Sequence, residues 1–286
     1  MQSSILDSRT LENSDFMIKM KEYFNRDPEA SYYLGRELMI TSHTIEQNPS
    51  VLRDLCNISR TPADKSKLLY GLLHGKFETD QSLDIAIALC DYNWSKSFSI
   101  INALEVLGIY AAAASALMDK KYNLVATELF EIERLIIKYS SEHSVNVNGR
   151  NVREWLSDKN INEIERDTLI AQLFDGKVDR ISLMLAQYSV RCLRKKRYIA
   201  TLRWVRDIVA RFTDLFIAQV TSAKELTDSE LQQIDDILTE KYSHEVQPYN
   251  VIDEDIIGGF IIQVSDDVID LSIDSKLRKF KNNMDI

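Results

Sequence analysis

Apolar residues recur every three or four positions through most of the first 216 residues, and a two-residue alternation enters only afterwards. The first spacing sets apolar side chains on one face of α-helices and the second sets them on one face of strands. Two of the helical stretches match each other. The run Leu68-Leu69-Tyr70-Gly71-Leu72-Leu73-His74-Gly75-Lys76 is mirrored 101 positions later by Leu169-Ile170-Ala171-Gln172-Leu173-Phe174-Asp175-Gly176-Lys177. Each reads as the end of a helix stopped at a glycine, Gly75 or Gly176, in the left-handed conformation that only Gly adopts cheaply. The starts agree as well. Thr61 caps one helix, with Pro62 in its first turn, and Asn162 caps the other, with Glu163 and Glu165 at its positive end.

At the same offset Ile101, Leu104, Leu107, Ala111 and Ala114 correspond to Leu202, Val205, Ile208, Phe212 and Leu215. Upstream the offset is 91, pairing Leu34, Leu38, Thr41 and Ile45 with Val125, Leu129, Ile132 and Ile136. The difference falls in the polar segment 138–151, which reads as a loop inserted in the second copy. A helical unit is therefore expected twice, over 32–115 and 123–216, within two bundles that span residues 1–118 and 119–216.

The last third, 217–286, reads as a small α+β domain. Residues 216–220 and 245–251 read as strands. Between them Thr227-Asp228-Ser229-Glu230 is a capping box, and Leu231, Ile234 and Leu238 continue a helix to about Tyr242. Gly258-Gly259 precedes an alternating run from Phe260 to Val264, which turns at Ser265-Asp266-Asp267 into Val268-Ile269-Asp270 as a hairpin. A basic helix closes the chain. Ile273, Leu277 and Phe280 form an apolar stripe, some of which is expected to pack on the hairpin, with Lys276, Arg278, Lys279 and Lys281 around it. The fold class is thus mainly α, two helical bundles followed by a small α+β domain.

Composition narrows the function. Eight glycines and four prolines in 286 residues suit long helices. A net charge of -9 argues against a general nucleic-acid binder. Three scattered cysteines, Cys56, Cys90 and Cys192, suit a reducing compartment. The first residues lack the pattern of a signal or transit peptide, and Ala103–Met118 reads as too short and too weakly apolar to span a bilayer.

No catalytic, cofactor or metal motif stands out. Phe77 and Val178 follow the Gly-Lys pairs where a phosphate loop needs Ser or Thr. His43, His74, His143 and His244 lack partners at metal-ligand spacing. The acidic clusters Asp253-Glu254-Asp255 and Asp266-Asp267 lack the regular spacing of a calcium loop. Cys192, among cations, reads as a plain helix thiol. The basic run Arg191 to Arg206, with Tyr198 and Trp204 within it, is the one stretch favouring an alternative, a helical nucleic-acid-binding module.

The C-terminal third closely resembles the delta subunits of F-type ATP synthases, whose mitochondrial relative is the oligomycin-sensitivity-conferring protein. Val220-Thr221-Ser222-Ala223, Leu226, Val251-Ile252-Asp253, Ile257-Gly258-Gly259-Phe260, Val268-Ile269-Asp270-Leu271-Ser272 and Leu277 stand in the order and spacing of that family. Glu37-Leu38, Asn48-Pro49 and the Leu-Leu-x-Gly-Lys helix stop extend the resemblance toward the N-terminus. Leu271 departs from it, since the family usually has Gly there, and an ordinary negative φ is expected. The doubled helical region is similar to that of the longer actinobacterial delta subunits.

The resemblance implies a non-catalytic stator subunit at the cytoplasmic face of the bacterial cell membrane, resisting rotor torque during proton-driven ATP synthesis and using no cofactor. Its implied partners are the N-terminal helices of α subunits, held by helical grooves, and the ends of b subunits, held by the C-terminal domain. Gly258, Gly259, Phe260, Asp270, Ser272, Gly75 and Gly176 are the implied structural residues. Lys276, Leu277, Arg278, Lys279, Phe280 and Lys281 are the candidate contacts to the b subunits.

Overall fold

The structure is a computed structural model, and it describes residues 5–6, 15–24, 26–57, 59–77, 81–90, 92–94, 99–141, 146–147, 150–192, 197–264 and 267–284. These residues hold thirteen helices and eight strands, and the chain divides into two compact units, 1–212 and 213–286.

The helical unit runs α1 (Asp15–Phe24), α2 (Pro28–Glu46), α3 (Pro49–Cys56), α4 (Pro62–Leu73), α5 (Gln81–Leu89), α6 (Ser99–Met118), α7 (Tyr122–Ser141), α8 (Val152–Ser157), α9 (Glu163–Phe174), α10 (Arg180–Arg191) and α11 (Tyr198–Thr213). A short parallel pair, β1 (Ile5–Leu6) with β2 (Asn93–Trp94), accompanies them. Side-chain caps start several helices, and each satisfies an N–H that the first turn leaves free. Asp27 accepts from Glu29 N, Asn151 from Glu154 N and Asp179 from Ile181 N.

The two glycine stops are built alike. α4 and α9 are each 12 residues long and are capped by Thr61 and Asn162. Their closing bonds, His74 N to Tyr70 O at 2.9 Å and Asp175 N to Ala171 O at 2.8 Å, lie 101 positions apart. Gly75 has φ +73° and Gly176 has φ +70°, both left-handed. The correspondence reaches back to α3 and α8, where Asn57 N bonds to Asp54 O and Asp158 N to Trp155 O, each at 3.3 Å. The residues matched at offset 91 are all buried: Leu34, Leu38, Thr41 and Ile45 on α2, and Val125, Leu129, Ile132 and Ile136 on α7.

Several expectations change. The segments 1–118 and 119–216 share one continuous apolar core. The cause is α6, which is buried at every position from Ser99 to Ala116 except Asn102 and packs on α1, α2, α7 and α10. A helix apolar all round must be enclosed all round, so neither segment closes without it. At 20 residues α6 is longer than the expected apolar stretch and has the length and apolarity of a membrane span, but 89% of that window is buried inside the unit. The 138–151 segment is only partly a loop. α7 continues to Ser141, and β3 (Asn146–Val147) and β4 (Arg150–Asn151) form an antiparallel pair. α11 stops at Thr213 because Asp214 turns left-handed at φ +59°, so Leu215 opens a strand and is no helical match for Ala114.

The C-terminal unit begins at Thr213, slightly ahead of the boundary at 217 that the sequence suggests, because its first strand already starts at Leu215. Its sheet has the order β6-β5-β7-β8, with β5 (Leu215–Ser222), β6 (Glu245–Ile252), β7 (Phe260–Val264) and β8 (Asp267–Asp270). β5 is parallel to β6 and antiparallel to β7. The parallel pair needs a crossover, which α12 (Asp228–Tyr242) supplies. The Thr227/Glu230 capping box is formed, and Ile234 and Leu238 pack with Ala218, Val220, Val246, Ile262 and Val264. α13 (Ile273–Met284) closes the chain. The hairpin turn at 265–266 lies outside the described residues.

Candidate interaction surfaces

In the C-terminal unit the Gly258-Gly259 pair and the Asp270-Leu271-Ser272 segment form one joint. Gly259 has φ +76°, and a Cβ there would meet Leu271 O at 2.5 Å. Backbone bonds from Leu271 N to Phe260 O at 3.0 Å and from Ile273 N to Gly258 O at 2.9 Å fasten the two segments. Asp270 Oδ1 accepts from Ser272 N at 2.9 Å, and Ser272 Oγ accepts from Ser275 N at 3.1 Å, starting α13. The spacing of these residues therefore sets where the last helix leaves the sheet. Leu271 is not left-handed: among the described residues, the non-glycine positions with positive φ are Lys120, Asp214 and Ser243.

α13 exposes more apolar surface than its sequence pattern implies. Ile273 is 43% exposed, although its Cδ1 lies close over Gly258, and Leu277 is 59% exposed. Leu277 is therefore not among the stripe residues that pack on the hairpin: its side chain faces solvent in the isolated chain. Lys276 is exposed, and Arg278 pairs with Asp274 at 2.7 Å. The side chains of Lys279, Phe280 and Lys281 lie outside the described residues.

In the helical unit, three arginines of the basic run that suggested the alternative nucleic-acid surface are paired with carboxylates. Arg191 pairs with Asp167 at 2.8 Å. Arg203 and Arg206 both pair with Glu133, which is buried, and Arg206 also lies 5.0 Å over the Phe130 ring. Desolvation holds the Arg206 pKa below its ordinary value, against the opposing pull of Glu133. Trp204 packs against the core, Arg197 is exposed, and residues 193–196 lie outside the described residues. Cys192 is a buried thiol whose Sγ meets Glu105 Oε1 at 3.0 Å. Among the described residues no cluster of three or more metal-binding side chains occurs.

Polar side-chain contacts also fasten the two helical segments together. Arg180 bonds Glu29 and lies 4.4 Å over the Tyr32 ring, and His43 Nε2 meets Glu163 at 3.0 Å. Within the second segment, Lys121 bonds Asp179 at 2.8 Å. Burial pushes the Asp179 carboxyl up, but Lys121 and the Ile181 N–H pull it further down, to below its ordinary value.

Along the outer side of α7 lies an apolar groove of about 680 Å³, closed on its other side by Val152 of α8 and by Leu173, Phe174 and Val178 at the end of α9. The Gly176 stop shapes this wall, since it ends α9 and turns the chain along the groove. The sequence carried the signal, an apolar stripe on α7, but that stripe reads the same as a core face. Gly75 ends α4 in the same geometry, and a Cβ at either glycine would meet nothing within 4 Å, so backbone conformation alone sets their identity.

Residues 106–284 match the family described as the ATP synthase delta (OSCP) subunit. The chain is 28% identical over 284 residues to the ATP synthase subunit delta of Bifidobacterium animalis subsp. lactis, covering 99% of this chain and 97% of that protein. The ATP synthase subunit delta of Salinispora arenicola is 26% identical over 258 residues, covering 90% of this chain and 89% of that protein.

Proposed function

Because the chain belongs to the ATP synthase delta (OSCP) family, and is therefore a non-catalytic subunit of the peripheral stalk in the membrane-associated ATP synthase complex, we propose that its two units hold two different partners. The helical unit takes N-terminal helices of α subunits, with residues 123–216 as the receiving segment, and the first segment lengthens the stalk. The C-terminal unit takes the ends of b subunits, with α13 at the contact. The protein works at the cytoplasmic face of the bacterial membrane and reaches it only through the complex.

The observation that carries this reading is the separation of the chain into two compact units, each with its own core and its own exposed apolar surface. A stator joint must grip two partners at once, and slow dissociation matters more to it than fast binding. Exposed Ile273 and Leu277 beside Lys276 give α13 both an apolar stripe and positive charge on a chain of net charge -9. Arg191, Arg203 and Arg206 of the basic run are engaged with Asp167 and Glu133 inside the unit, and the family match gives no support to a nucleic-acid role.

Affinity-tagged full-length chain is expected to co-purify α and b subunits. Replacing Lys276, Arg278, Lys279 and Lys281 together with Glu is expected to leave the fold intact, since exposed pairs contribute roughly 0–1 kcal/mol each. The same change weakens capture of a fragment from the C-terminal end of b in calorimetric titration and leaves α binding unchanged. Leu277→Ala is expected to cost well under about 1 kcal/mol of stability, given its exposure, while also weakening b capture. Undiminished b capture by the charge-reversed chain would remove α13 from the interface.

A further inference from the structure

We propose that a polar pocket between the end of α7, the β3–β4 pair, α8 and the start of α11 binds a small anion carrying two or more linked phosphates. The site is separate from the apolar surfaces assigned to partner subunits and does not depend on that assignment.

Two features of the sequence that the stalk role leaves unused converge here. One is the segment 138–151, by which the second copy exceeds the first, and the other is the basic run 191–206. Arg150 comes from the former and Arg197 from the latter, and Arg153 of α8 joins them around one cavity of about 660 Å³. That size suits a small molecule, whose pockets measure roughly 300–1,000 Å³. Unlike Arg191, Arg203 and Arg206, the exposed Arg153 and Arg197 have no carboxylate partner among the described residues. Arg150 bonds Asp158, but that carboxylate also accepts from Asn160 N at 2.9 Å. Asp158 further attracts Arg166 of α9, a guanidinium 6% exposed whose Nε and Nη1 meet no acceptor among the described residues. Glu154 is the other carboxylate on the described wall. Cations therefore outnumber carboxylates here, on a chain of net charge -9.

The pocket is held in shape before any ligand arrives. Ser140 Oγ accepts from Arg153 N at 3.1 Å and donates to Ile136 O at 2.6 Å, tying α8 to the end of α7. Ser157 Oγ donates to Arg153 O at 2.7 Å and accepts from Tyr198 N at 3.3 Å, tying α8 to the start of α11. The Arg153 backbone is thus fixed on both sides, and the chain at Arg197 is set beside Ser157. Guanidinium forks match phosphate oxygens in pairs, and a site ordered in advance loses little entropy on binding. The described wall has no aromatic ring and a single apolar side chain, Ile137. It offers a nucleobase nothing to stack on and a peptide no apolar pocket for an anchor. One phosphate would occupy little of the volume, whereas linked phosphates span arginines that come from three different elements.

The test titrates the full-length chain calorimetrically with pyrophosphate, tripolyphosphate, ATP and inorganic phosphate, without magnesium and at constant ionic strength. Pyrophosphate and tripolyphosphate should each bind at least about tenfold more tightly than inorganic phosphate. Arg153→Gln combined with Arg197→Gln should weaken tripolyphosphate binding by at least about tenfold, and Glu154→Gln should tighten it. Arg53→Gln combined with Lys67→Gln removes two exposed cations from the first segment and should leave binding unchanged. Tryptophan fluorescence verifies that each variant is folded. ATP binding as tightly as tripolyphosphate supports a nucleotide tail as the source of the phosphates, and ATP failing where tripolyphosphate binds supports an inorganic one. The site is overturned by no binding of any linked phosphate, by inorganic phosphate binding equally well, or by equal weakening in the first-segment variant. Unchanged affinity in the folded Arg153 and Arg197 variant, or looser binding by Glu154→Gln, overturns it as well.

Discussion

Gly35→Leu is expected to destabilise the helical unit by about 3 kcal/mol, the upper end of what overpacking a tight core costs. Gly35 on α2 faces Gly108 on α6, and a Cβ added at Gly35 would lie 2.8 Å from Gly108 O and 3.0 Å from Ala112 N. Both are backbone atoms, so no side chain can rotate away. The helices themselves must separate, and the layer that includes Leu34, Leu38 and Leu104 loses contact with them. Even Gly35→Ala is expected to be destabilising, despite the roughly 1 kcal/mol by which Ala is favoured over Gly inside a helix. Gly71 provides the control. It lies on the exposed side of α4 with nothing within 4 Å of an added Cβ, so Gly71→Ala should gain up to about 1 kcal/mol. Trp94, Trp155 and Trp204 all belong to the helical unit, so urea unfolding followed by tryptophan fluorescence reports that unit alone. Equal stability of the Gly35→Leu and unaltered chains would mean that the helix pair does not pack as closely as described.

Glu133→Ala is expected to cost about 3–5 kcal/mol, the usual consequence of removing one partner from a buried ion pair. Glu133 is 6% exposed and binds Arg203 and Arg206. Its removal leaves the Arg206 guanidinium, 16% exposed, between Phe130 and the core without the carboxylate that faces it. Arg203 is 53% exposed, and its replacement by Ala should cost no more than about 1 kcal/mol because solvent takes over its role. Glu133→Leu combined with Arg206→Met should recover most of the loss, since apolar residues of similar volume replace buried pairs at little cost. The same fluorescence-detected unfolding measures every one of these variants. A small effect for Glu133→Ala together with a large one for Arg203→Ala would reverse the assignment.

The copies show why these two sites differ. At the positions matched to Gly35 and Gly108 the second segment has Ala126 and Val209, both buried. The close backbone approach that Gly35 and Gly108 allow between α2 and α6 is thus not open to α7 and α11 at the matched positions. The second segment fastens α7 to α11 through Glu133 instead, using the arginines that read as a nucleic-acid surface in the sequence alone.

The sequence by itself determined the local events. Thr61, Asn162 and Thr227 cap the helices they were expected to cap, and Gly75 and Gly176 stop theirs, because capping and left-handed turns depend on residues within a few positions of one another. The capping box, the strand alternation and the Gly-Gly and Asp-x-Ser spacing of the last third likewise placed the α+β unit and carried the family resemblance. Tertiary structure decided what each apolar stripe covers. An apolar face has the same period whether it is buried in a core, as on α6, or left open as a groove or an exposed stripe, as on the outer side of α7 and at Leu277. It also decided that one core serves both helical segments and that Arg191, Arg203 and Arg206 meet Asp167 and Glu133, because pairings between residues far apart in the chain are set only when the helices pack.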